Sequence, residues 1–272
     1  MDLKKTSEIL CKICGHPSSS WEKGWILNKY LIQCYCCGFC GFIQTEEPFW
    51  LDESYSDAIA RNDIGLVRRN ITMSRLTRAV VLSFFNCNAR FIDYGGGYGL
   101  LVRLMRDNGF NYFLNDKYAP NLFARGFEAE KNDKEKFELL TAFEVFEHLS
   151  DPLEEIKEML NYSTSILFTT RLVTTPPPSL DSWWYYSLES GQHVAFYTIK
   201  SLELIAEKLN LYLFSDHHSF HLLTDRKLSQ IAFKLFSLYP VARLLNLILR
   251  GKQTNHTFLP SDYFELTGKR LT

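Results

Sequence analysis

The chain is predicted to fold as an α/β protein: a doubly wound, mainly parallel sheet preceded by a small cysteine-rich module. Three observations carry that prediction. Strand-length and helix-length apolar segments alternate from about residue 90 to residue 225. Gly95, Gly96, Gly97 and Gly99 fall between one such strand and the helix after it. Six of the seven cysteines precede residue 41, so the composition changes sharply there.

On this reading residues 1–48 are the cysteine module, 49–225 the α/β domain and 226–272 a helical extension. Ile64, Val67, Ile71 and Val80 recur at roughly helical spacing and predict a lead-in helix over 61–85. Residues 90–93 form a short apolar strand entering the glycine turn. Leu100, Leu101, Leu104 and Met105 then make one helix face, and Gly109 stands where a left-handed C-cap belongs. Strands are predicted at 112–115, 137–143 and 165–170, with helices at 152–160, opened by Pro152, and at 201–209. Residues 211–214 and 220–223 pair as a terminal hairpin, its turn carrying His217 and His218 with His221 close by; a solvated turn suits these histidines better than a metal site. In the extension Ile231, Leu235, Leu238, Ala242 and Leu245 form a helical stripe interrupted at Pro240. Core or homodimer packing suits it better than a membrane, because only Lys234, Arg243 and Arg250 offer basic anchors.

The bulk composition excludes several classes. Thirty basic and thirty-one acidic residues leave a formal charge of −1, which speaks against a nucleic-acid partner. Lys4 and Lys5 have no apolar segment behind them, so no secretory signal is expected. Residues 231–249 are broken by Lys234, Pro240 and Arg243, which argues against stable membrane insertion. A reducing, cytoplasmic location follows, where thiols bind metals more often than they pair.

The turn 93–99 decides the cofactor class. Glycines let the backbone approach a ligand, and the helix start offers unpaired amides. The dinucleotide pattern G-x-G-x-x-G/A fails, because its third small position would fall on Leu100 or Val102. Asp93-x-Gly95-x-Gly97-x-Gly99 instead resembles the acidic-x-G-x-G-x-G turn of S-adenosylmethionine (SAM)-dependent methyltransferases. Asp116, 17 residues after Gly99, ends the second strand, where a carboxylate accepts hydrogen bonds from both ribose hydroxyls.

Phe143-Glu144-Val145-Phe146-Glu147-His148, running on to Asp151-Pro152, is similar to the EHxxDP block of the class I methyltransferases. The leading cysteines with residues 41–48, Trp183-Trp184-Tyr185-Tyr186 and residues 191–197 resemble a bacterial subgroup with a zinc-binding N-terminus. The resemblance implies seven strands, the last antiparallel, with SAM at the carboxyl ends of the early strands beside Phe143 and Glu144. Glu138 departs from it, standing where many relatives have aspartate.

Methyl transfer needs alignment and, for a hydroxyl or carbon acid, proton removal. His148 and His193 are the candidate bases. Alternatives stay open: His148 as a brace for its loop, or Glu144, Glu147 and His148 as cation ligands, as in some quinone-pathway O-methyltransferases. Trp183, Trp184, Tyr185 and Tyr186 are read as four exposed aromatics that stack on a small-molecule substrate such as a sugar or a planar ring, or else pack on the core as a lid hinge. Cys11-x-x-Cys14-Gly and Cys37-x-x-Cys40-Gly form two zinc knuckles of a closed structural site, while Cys34 with Cys37 offers a second register. Residues 41–48, through the resemblance, favour the first. Cys87 reads as a buried apolar residue. The expected function is methyl transfer from SAM to oxygen or carbon of a small molecule. The alternative is a non-catalytic SAM-binding zinc-ribbon adaptor or sensor; His148 and His193 favour the enzyme.

Overall fold

Strand alternation sorts the apolar residues of the central strands into two cores. The computed structural model describes residues 8–55, 63–129 and 136–271. Its central strands are β5 (Arg90–Tyr94), β6 (Asn111–Asn115), β7 (Leu139–Phe143) and β8 (Ser165–Thr169), all parallel. Phe91, Leu139 and Leu167 face one side of this sheet; Ile92, Leu140 and Ile166 face the other. The first side is covered by α2 (Leu66–Phe84) and α3 (Leu100–Asp107), the second by α4 (Pro152–Tyr162) and α5 (Ile199–Lys208). Both faces of the strands are therefore buried, as a parallel sheet requires.

The hairpin of β10 (Tyr212–Ser215) and β11 (Phe220–Thr224) completes the sheet in the order β10-β11-β8-β7-β5-β6, with β11 antiparallel to both neighbours. The sheet thus has six strands among the described residues rather than the seven the resemblance implies. Beyond β6 the edge holds, among the described residues, one parallel bridge, Leu114 to Glu128, and no further strand pairing. His221 differs from its expected solvated setting. It is buried on β11, with Nδ1 2.8 Å from Ser215 Oγ and Nε2 3.0 Å from the Thr170 carbonyl. Glu138 accepts hydrogen bonds from Arg226 Nη1 and the Asn86 amide, at 2.9 and 2.8 Å, tying the start of β7 to its surroundings.

The cysteine module folds on a second sheet. β1 (Glu8–Leu10), β2 (Pro17–Ile26), β3 (Tyr30–Cys37) and β4 (Ile43–Thr45) run antiparallel, and β4 also pairs with β9 (Ala195–Phe196). One strand of this sheet is therefore drawn from residues far along the chain. A short helix, α1 (Leu51–Ser54), leads away from it.

Two apolar stripes read from periodicity lie only partly in the core. In the lead-in segment Ile64, Val67 and Ile71 are exposed, whereas Val80 of the same stripe is buried, together with Leu76 and Ala79; Arg61 lies outside the described residues, as do Lys4 and Lys5. In the extension, α6 (Gln230–Phe236) and α7 (Tyr239–Ile248) bury Phe233, Ala242 and Asn246, leaving Ile231, Leu235 and Leu238 exposed. Pro240 opens α7 at its first turn, so the proline starts a new helix rather than kinking one. Among the described residues no single helix is long and apolar enough to cross a membrane, and α6 with the segment from Tyr239 to Lys252 passes only as a pair bent by 94°. A last helix, α8 (Leu259–Thr267), sits on α3, where Asp262 accepts paired bonds from Arg106 at 2.9 and 2.6 Å.

Candidate active site and metal centre

The turn after β5 is held by contacts that leave room for no side chain at its centre. A Cβ on Gly96 would lie 2.3 Å from Asp93 Oδ2 and 2.6 Å from Leu114 Cδ1, so only glycine fits there. Gly95, Gly97 and Gly99 all have positive φ, of 66°, 58° and 84°. Asp93 is buried, accepts a 2.7 Å bond from Thr141 Oγ1, and is pushed up to about 7 by that burial. Asp116 Oδ2 accepts the Gly97 amide at 2.8 Å, while Oδ1 accepts those of Tyr118 and Ala119 at 2.8 and 2.7 Å. The carboxylate at the end of β6 and the glycine backbone after β5 are therefore one unit.

This unit opens on a cavity of about 480 Å³, lined by Asp93, Gly95, Gly97 and Asp116 at one side and by His148, Trp184, Tyr185 and His193 at the other. Phe143 and Glu144 line it between them. Gly99 does not line it and serves instead as the left-handed start of α3. Glu144 holds a φ of 55°, uncommon for a side-chain residue, fixed by its amide donating to Thr169 Oγ1 at 2.9 Å while that hydroxyl donates to Oε1 at 2.7 Å.

The two histidines meet, with ring centroids 4.9 Å apart. His193 Nδ1 lies 2.6 Å from the Tyr185 carbonyl. A carbonyl only accepts, so Nδ1 carries the proton and Nε2 keeps a free lone pair. Burial lowers His193 to about 4, so the ring is neutral at pH 7. His148 is pushed well below the usual histidine range by burial, then by His193, and its Nδ1 is 2.8 Å from the Tyr55 hydroxyl. Glu147 is fully buried, and among the described residues neither carboxylate oxygen has a hydrogen-bond partner. Burial and the neighbouring Glu144 raise it to about 8. One ligand atom from each of Glu147, His148 and His193 lies within 4.8 Å of the others, whereas Glu144 turns to Thr169 and is not in that group.

The aromatic run is not four exposed rings. Tyr185 and Tyr186 are buried, Trp183 is packed between them, and only Trp184, 70% exposed, projects. Tyr186 donates to the Pro178 carbonyl at 2.8 Å, and neither it nor Trp183 lines the cavity. Tyr55 has no local motif to announce it; its ring stacks on Tyr118 with centroids 4.5 Å apart and reaches His148 from 93 residues away.

Outside the cavity, Cys11, Cys14, Cys37 and Cys40 come together, every Sγ within 4.8 Å of the rest. The Cys11–Cys40, Cys14–Cys37 and Cys14–Cys40 separations are 3.6, 3.4 and 3.6 Å. Four thiolates at the ordinary Zn–S distance sit about 3.8 Å apart in a tetrahedron, so the set fits zinc. The amides of Gly15 and Gly41 each donate at 2.9 Å to the carbonyl of the first cysteine in their knuckle. Cys34 is not part of the set: it faces the core with Ile26, Ile32 and Trp50, and burial pushes its thiol up to about 12. Cys87 is buried as expected.

A doubly wound sheet with a glycine turn, a paired acid and a cavity at the strand ends defines a nucleoside-binding α/β protein. The family model described as a methyltransferase domain matches residues 68–215, more than half of the chain. The chain belongs to this methyltransferase family. No curated protein matches the sequence. Solved structures to which it is similar include an O-methyltransferase family protein from Burkholderia thailandensis (13% identity, TM-score 0.49, 68% of this chain and 65% of that one). Others are human N-acetylserotonin methyltransferase with SAM (17%, 0.42, 67% and 60%) and the plantazolicin methyltransferase BpumL with S-adenosylhomocysteine (9%, 0.42, 64% and 94%). The chain thus spans just under two thirds of the length of the Burkholderia protein.

Proposed function

We propose that this chain transfers a methyl group from SAM to an oxygen or carbon of a small molecule. The observation that carries the reading is the joined unit of Gly97, Asp116 and the β5 turn at one end of a cavity whose other end holds a neutral, oriented imidazole. SAM supplies an already activated methyl group. Asp116 would select the ribose and the turn amides the amino-acid end, Phe143 and Glu144 flanking them. His193 Nε2 would take the acceptor's proton, a contribution of ~10²–10⁴-fold. Trp184 gives the cavity mouth one exposed ring, which suits a sugar as acceptor. The cysteine cluster would hold one structural zinc and take no part in the chemistry.

Calorimetry with S-adenosylhomocysteine tests this. Binding should be seen, and Asp116→Ala should weaken it by roughly 1.5–3 kcal/mol, the contribution of a charge-assisted bond. Equal affinity of variant and wild type would sink the assignment. NAD should not bind.

A second reading is favoured by the unpartnered Glu147 carboxylate: a divalent cation held by Glu147, His148 and His193. Titrating the zinc-loaded protein with Mn²⁺ separates the two. A further site that vanishes in His193→Ala supports the cation; no binding leaves His193 as a base.

A further inference from the structure

The stretch from Arg226 to Ser261 contains six lysines and arginines and no aspartate or glutamate. Folding turns this composition into a surface. Phe233 on α6, with Ala242 and Asn246 on α7, attaches the pair to the body, Asn246 Nδ2 donating to the Arg75 carbonyl of α2 at 2.9 Å. The opposite faces are apolar and exposed. Ile231 and Leu235 follow i, i+4 spacing on α6 with Leu238 just past its end, and Leu244, Leu247 and Ile248 follow i, i+3, i+4 on α7. Leu247 is 71% exposed.

The anchors missing from the extension itself come from α2. Arg75 places its guanidinium 5.4 Å over the Tyr239 ring. Burial, and after it the charges of Arg250 and Arg75, disfavours the Arg78 charge, and its Nε is buried with no hydrogen-bond partner among the described residues. Among the described residues none of Arg75, Arg78, Arg243 and Arg250 lies within ion-pair distance of a carboxylate. Arg75, Arg78 and Arg250, whose charges reach one another without a carboxylate, call for an anion, and their planar forks match phosphate oxygens.

The occupant must satisfy both features. Nucleic acid would answer the arginines and leave the leucines in water. A second copy would cover the leucines and bring like charges together. Phosphate headgroups above an acyl layer answer both. We propose that α6 and α7 dock this protein on the surface of an anionic lipid bilayer, their outward leucines and isoleucines entering the headgroup boundary while Arg75, Arg78, Arg243 and Arg250 take the phosphates. The 94° bend between the helices suits lying on the surface rather than crossing it.

Flotation of the full chain, zinc loaded, with two kinds of vesicle tests the proposal. One is phosphatidylcholine alone; the other has roughly one third phosphatidylglycerol. Binding is expected to the anionic vesicles, weakening as salt rises, with little to the neutral ones. Leu247→Asp with Ile231→Asp should lower that binding about tenfold or more, and Arg243→Glu with Arg250→Glu should remove it. All four positions are exposed, and unchanged melting temperatures would show that the variants fold. Absence of binding to anionic vesicles overturns the proposal, as does equal binding to both kinds. A dimer in light scattering that Leu247→Asp dissociates overturns it in favour of a second copy. Duplex or single-stranded RNA bound through Arg250 but indifferent to Leu247 would overturn it in favour of nucleic acid.

Discussion

His193 has a ring kept neutral and its single proton fixed on one of the two ring nitrogens. Burial keeps it neutral, lowering it to about 4, and the Tyr185 carbonyl at 2.6 Å fixes which nitrogen is bare. In the unfolded chain the ring returns to about 6.5. Between those values the unfolded state binds more protons, so His193 makes stability rise with pH and lose ground as pH falls from 6.5 to 4. Asp93 acts in the opposite sense, because its native value near 7 exceeds its unfolded one, and stability falls as pH rises toward 7. The comparison therefore has to be made between wild type and His193→Ala. Urea unfolding should show the wild type losing on the order of 2–3 kcal/mol relative to the variant from pH 7 to pH 4. Parallel pH curves would mean that the imidazole titrates normally in the native state.

At the scale of elements, the cysteine cluster is joined through strands to the cavity wall that carries His193. Cys40 closes the second knuckle three residues before β4, β4 pairs with β9, and β9 begins two residues after His193. The Cys40 carbonyl also accepts a 2.6 Å bond from Thr198 Oγ1, the residue that caps α5. Metal analysis should find about one zinc per chain in the wild type and in Cys34→Ser, and loss of it in Cys40→Ser. Zinc retained by Cys40→Ser and lost by Cys34→Ser would reverse the register. Stripping the metal with a chelator should speed amide exchange at Ala195 and Phe196 as well as within the knuckles, because β9 has β4 as its partner. Exchange confined to residues 11–41 would show that the two parts are uncoupled.

At the scale of the whole molecule, a buried ion pair among the described residues fastens α8 of the tail to α3. Asp262 on α8 takes two bonds from Arg106 and one from Arg103 at 2.9 Å, and the Arg106 guanidinium also lies 3.7 Å over the Phe127 ring. Removing one partner leaves a buried charge, so Asp262→Ala should cost about 3–5 kcal/mol in denaturant unfolding, and a cost below 1 kcal/mol would show the pair to be solvated. Much of the fold is legible in the chain because it depends on neighbours in sequence. The order of strands and helices follows from periodicity, the turn at Gly95–Gly99 from its spacing, and the knuckles from paired cysteines. Faces are less legible, since a stripe such as Ile231, Leu235 and Leu238 has the same spacing whether it meets a core or the outside. The aromatic run likewise does not say which rings are covered, and Tyr55 carries no mark of reaching His148. By itself, then, the sequence determined the α/β class, the cofactor turn and the thiol pairs, all set by separations of a few residues. Only the tertiary structure decided the six-strand count, the neutrality of His193, the closing of the module's sheet by β9 and the meeting of Arg75 and Arg78 of α2 with Arg250 just past α7. Burial and charge are sums over surroundings that chain folding brings together from far apart.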